Sequence, residues 1–155
     1  MSSLSPGSPS NRRSGGVVSQ GSGRRRRGRE LALRVLFEIE GTDKDANEAI
    51  EYQARELGAA RDVVDFARAI VIGCLEHPDA IDTSLGEAMV NWSLVDLGKV
   101  ERAVLRLGSY ELLFDRATPV AVVIDESVEL AKAYAGEEAA HFVNGVLGQV
   151  ARERV

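Results

Sequence analysis

The stretch GRRRRGRE, residues 23–30, sets four consecutive arginines and a fifth two positions on. A guanidinium is a planar fork of donors that matches phosphate and stacks on aromatic faces. Such a run is therefore read three ways: a solvated low-complexity tail, a targeting signal, or an arm that grips a polyanion. Phe37 bears on the choice. On a helical wheel with Leu31 at 0° and about 100° per residue, Leu31, Ala32, Val35, Leu36 and Ile39 cluster between about 0° and 140°. Phe37 then falls at about 240°, Arg34 at about 300° and Arg27 at about 320°, away from that apolar face. An outward aromatic beside guanidinium groups suits an unpaired base, whose faces a duplex would hide. The competing reading has Phe37 packed beneath a neighbouring helix and the arginines merely solvated. A nuclear localisation signal fits the arginine run but leaves Phe37 unexplained.

Other reactive side chains offer less. His77 and His141 lack ligand spacing to each other or to Cys74, and one cysteine excludes a thiolate zinc cluster or an internal disulfide. No glycine loop of the phosphate-cradling kind is present, and Gly15-Gly16 falls in the tail. The pairs Asp125-Glu126 and Glu137-Glu138 are helix neighbours that point about 100° apart, which suits solvated faces better than paired acid–base work. Glu111 is the exception, because it falls within an apolar stripe. A buried carboxylate needs a partner, and an arginine guanidinium is the natural one. A non-enzyme with no metal or cofactor is expected.

The net charge of −5 conceals a partition. Residues 1–29 hold seven arginines and no acid, whereas the remainder carries 12 basic and all 24 acidic residues. A basic arm on an acidic body follows. Ser, Gly and Pro dominate residues 1–23, which have almost nothing to bury, so disorder is expected there. Residues 24–155 are expected to form a single domain. No run reaches the roughly 18–20 apolar residues of a membrane span, and no apolar segment follows the basic N-terminus as a secretory signal requires. A soluble, cytoplasmic protein is expected.

The elements that must carry these groups read as helices. After Gly28, RELALRVLFEIE keeps a buried stripe at Ala32, Val35, Leu36 and Ile39. Asp45 to about Leu57 forms a second helix closed by Gly58, and AARDVVDFARAIVIGCLEH a third, with Pro78 marking an end or restart. DAIDTSLGEAMV follows, and Ser93 with Asp96 forms a capping pair. KVERAVLRLGSYELLF is apolar on two faces, Val100, Ala103, Val104, Leu107, Tyr110 and Phe114 on one, Leu105 and Leu112 on the other, which places it centrally. Thr118-Pro119 opens a helix through Tyr134, and a last helix spans about 138–153. The expectation is an all-α bundle of six to seven helices.

The blocks VERAVLRLGSYELLF (100–114), PVAVVIDESVELAKAYAG (119–136) and HFVNGVLGQV (141–150), with the opening RRRRGRELALRVLFEIE, resemble the transcription antitermination factor NusB family. The likeness runs from about Arg24 to Val150; 41–98 is only generically similar. It implies two perpendicular three-helix halves and no enzymatic activity. It also implies binding of single-stranded boxA-type RNA together with a ribosomal-type protein, NusE, and a link to the RNA polymerase elongation complex. Homodimers that cover the RNA surface occur among members. By matching positions, Arg25, Arg26, Arg27 and Arg29 would form the RNA-binding arm; Arg24, which opens the run, and Arg34, outward on the wheel, join it as RNA-binding candidates. Phe37 stands where the family often carries tyrosine, keeping the ring and losing a hydroxyl. Phe142 matches a second aromatic at the RNA surface, Glu138 an acidic position before it, and Glu101 a position near the RNA and partner surface. From the residues alone, Phe142 lies at the margin of its stripe, half exposed or a half-buried core ring. Two rivals remain: the helical domain of an RNA methyltransferase, and a structural oligomer that binds no RNA.

Overall fold

The computed structural model describes residues 16–154, with side chains over residues 23–154, and every regular element among them is helical. In chain order these are α1 (Gly16–Ile39), α2 (Ala46–Leu57), α3 (Arg61–Glu76), α4 (Pro78–Ala88), α5 (Lys99–Leu113), α6 (Val120–Ala135) and α7 (Glu137–Glu153). A short 3-10 turn, Leu94–Asp96, precedes α5. Helix α1 begins at Gly16, inside the segment expected to be tail. Residues 1–15 lie outside the described residues.

Local chemistry sets the ends. The Asp45 carboxylate accepts from the Glu48 amide at 2.9 Å and opens α2, and Gly58, at φ +63°, closes it. Pro78 restarts the chain as the first residue of α4, where its missing N–H costs nothing. The Asp96 carboxylate accepts from the Ser93 amide and hydroxyl at 3.3 and 2.9 Å, as the sequence spacing requires.

Packing gathers α1, α2 and α3 into one group and α5, α6 and α7 into another, with α4 against α5 and α7. Helix α5 touches both groups, the central position its two apolar faces predict. Val104, Leu105 and Leu107 are fully buried and Leu112 nearly so; a buried leucine contributes about 1.5–3 kcal/mol relative to exposure. Phe114, read as part of that stripe, sits past the end of α5 and is 40% exposed, stacked on His77 at 4.1 Å. Gly28 lets α1 lie against α3, since a Cβ there would stand 2.5 Å from Phe66 Cδ2.

Two ionic ties fix α1 to α5. At one end Arg29 donates twice to Glu111, both contacts 2.8 Å and both side chains buried. At the other, Glu40 accepts from Arg102 and Arg106, and Arg106 also donates to Asp82 of α4. The Arg102 hydrogen bond holds the Glu40 carboxyl below its ordinary range. Helices α1 and α5 therefore run antiparallel, and the outer side of α1 is presented in one fixed orientation.

Candidate nucleic-acid interface

The arginine run lies on the first turns of α1 that the side-chain description covers, and helical spacing fans its members out. Arg24 pairs with Asp62 at 2.7 Å, both side chains more than half exposed. Arg25 stands over the Phe66 ring, 5.3 Å from its centroid, and reaches the Thr118 hydroxyl at 3.4 Å. Arg26 makes a two-pronged contact with Glu126 of α6 at 2.9 and 2.8 Å. Arg27 donates to the Leu57 carbonyl at 3.3 Å, at the negative end of α2. All four remain exposed.

Arg29 departs from the expected arm. It is 1% exposed and bonded to Glu111, with its guanidinium 5.3 Å from the Phe66 ring centroid, so phosphate cannot reach it. The buried carboxylate read from the sequence has found its arginine, and the arginine comes from the run itself. Arg29 is a core residue.

One stripe on α1 carries Arg26, Glu30, Arg34 and Phe37, spaced at i+4, i+4 and i+3. It faces α6 and the start of α5. Phe37 is 41% exposed, outward as the wheel predicts, with the Lys99 ammonium 4.6 Å from its centroid. Arg34 donates to the Tyr134 hydroxyl at 3.1 Å and lies 5.8 Å over that ring. Tyr134 in turn donates to Glu30, which also sits 3.7 Å from Arg34. Burial, and then the Glu30 carboxylate, push the Tyr134 hydroxyl up to about 12, so it stays a donor at neutral pH. Leu33, Arg34, Phe37, Glu38, Gln53, Val100 and Tyr134 line a shallow depression of about 390 Å³ between these helices. A depression with two aromatic rings and Arg34 at its rim, and Lys99 beside Phe37, can take a flat heterocycle and an adjoining phosphate, with Glu38 holding the opposite sign in the same lining.

Sequence reasoning missed Tyr134 and Lys99. Tyr134 reads as the last member of the α6 stripe, yet it is 38% exposed, and each lies far along the chain from the α1 residue it joins. The remaining candidates sit elsewhere. Phe142 on α7 is half-buried and meets Trp92 edge-on, centroids 5.9 Å apart at 70°, which makes it part surface ring and part core. Glu138 is exposed in the first turn of α7. Glu101 lies in the first turn of α5, folded back over Gly98.

The comparisons agree on one family. A model of the NusB family matches residues 26–152. The chain is 43% identical over 130 residues to the transcription antitermination protein NusB of an Exiguobacterium species, covering 84% of this chain and 98% of that protein. Against the longer protein of that name from Heliobacterium modesticaldum, 40% identity over 129 residues covers 83% of this chain and 63% of that one. Among solved structures, antitermination factors NusB and NusE in complex with dsRNA contain a chain that matches at a TM-score of 0.77. That chain is 31% identical, and the match covers 83% of this chain and 96% of it.

Proposed function

Since the chain belongs to the NusB family, we propose that it is a transcription antitermination factor that binds single-stranded, boxA-type RNA on the outer face of α1. It does so with a ribosomal-type protein of the NusE kind and links both to the RNA polymerase elongation complex. The action is non-covalent. Arg24, Arg25, Arg26, Arg27 and Arg34 supply attraction and phosphate contacts, and Phe37 supplies a platform for a base. Phe142 and Glu138 extend the surface on α7, and Glu101 meets the protein partner.

The observation that carries this reading is the exposed Phe37 ring on the stripe that also bears Arg26 and Arg34. A half-exposed aromatic flanked by cations is costly to leave in water and stacks on any unpaired base. The relative solved with NusE holds dsRNA. A single strand suits this face better, because the depression beside Phe37 admits a base only when its faces are unstacked. The acidic body favours a basic protein partner and repels RNA from other faces. Homodimers, where they form, cover the same stripe and compete with RNA.

Gel filtration followed by titration of fluorescent boxA-type RNA, with and without a NusE-type protein, tests the reading. The expected result is binding that the partner tightens cooperatively. Purely additive binding, or none, would overturn it.

A further inference from the structure

In the unbound protein the exposed guanidiniums are not waiting empty. Arg26 is held by both oxygens of Glu126, whose side chain is only 14% exposed, and Arg24 by both oxygens of Asp62. Glu126 accepts two parallel N–H bonds, from Nε and Nη2 of Arg26, and so presents the pair of oxygens a phosphodiester would; at Arg24 a single nitrogen, Nη1, reaches both oxygens of Asp62. Each pair ties α1 to a different helix, Asp62 on α3 and Glu126 on α6, and so brackets the arginine run from both sides.

We infer that Glu126 and Asp62 are built-in competitors for the RNA face: their carboxylates hold the phosphate positions at Arg26 and Arg24, so that a polyanion must displace them before it binds. The inference rests on the RNA-binding reading and deepens it. A phosphate chain without bases exchanges one anion for another at these arginines, gaining little and meeting the repulsion of the carboxylates it ejects. A single-stranded RNA meets the same resistance, but its bases reach Phe37 and Tyr134, contacts that a bare polyanion cannot make. The acids thus raise the threshold for any anion and leave the aromatic stripe to decide which one passes it. Holding the guanidinium planes in advance also spares the side-chain ordering that binding would otherwise require.

The test compares two probes, inorganic polyphosphate and a fluorescent boxA-type single strand, on the full chain. Glu126→Gln keeps an acceptor oxygen for Arg26 and removes the charge; Asp62→Asn does the same at an exposed pair whose removal leaves packing intact. For each variant polyphosphate affinity is expected to rise about fivefold, the most an ion pair of this exposure typically contributes. RNA affinity is expected to rise by a similar factor, because the strand displaces the same carboxylates, and the preference for RNA that Phe37 and Tyr134 give is expected to stay. Unchanged or weaker polyphosphate binding in both variants, with melting curves like wild type, would overturn the inference and make the acids simple helix clamps. Failure of the wild-type chain to bind the RNA strand would instead count against the RNA reading, while the polyphosphate arm would still decide the role of the acids.

Discussion

Arg29 and Glu111 meet inside the bundle through two 2.8 Å contacts, with 2% and 0% of their side chains exposed. One member of a basic run thus anchors the helix whose other arginines face outward. A buried pair adds little beyond an apolar pair of the same shape, but breaking it strands a charge. Arg29→Ala should therefore lose about 3–5 kcal/mol in denaturant unfolding. Arg29→Met with Glu111→Leu should recover most of it. RNA affinity of the folded double variant should stay near wild type.

Phe37→Ala separates platform from core. With 41% of the residue exposed, its removal should cost little stability. It should weaken single-stranded RNA binding by about 1–3 kcal/mol if the ring stacks on a base. Calorimetry and anisotropy titration on the same variant check both halves; a large drop in stability with affinity intact would return the ring to the core.

The fold was legible because the apolar periodicity is strong. Val35, Leu107, Val143 and Leu147 fall where their spacing puts them, and the Gly58, Pro78 and Ser93–Asp96 signals mark real ends. Arg29 escapes a reading of the sequence because its neighbours in the run hide its register. The same wheel sets it at about 160°, at the edge of the core face, where Glu111 waits. The start of α1 escapes it too, because composition suggests disorder up to residue 23. Tyr134 and Lys99 could not be found from spacing, since the stripe they complete is assembled from three helices.

Glu40 gives the acid limb of stability a specific source. Its folded carboxyl is held below the ordinary value of 4.5, first by the Arg102 hydrogen bond. That contribution is fully present above the unfolded value and is lost as pH falls through the folded one. Glu126 shifts the same way through Arg26. Glu40→Gln should lower stability at pH 7 by about 1–3 kcal/mol and flatten its decline below about pH 4.5, read from urea melts across pH.

Glutamine at Arg24, Arg25, Arg26 and Arg27 together, with Arg29 left in place, puts the α1 surface to its sharpest test. The readout is the log–log slope of single-stranded RNA affinity against salt. Each phosphate that is no longer neutralised should reduce that slope by about 0.7, with affinity falling in step and the chain still folded at the temperature of the titration. A slope and affinity equal to those of the unaltered chain would contradict capture of RNA by this face of α1.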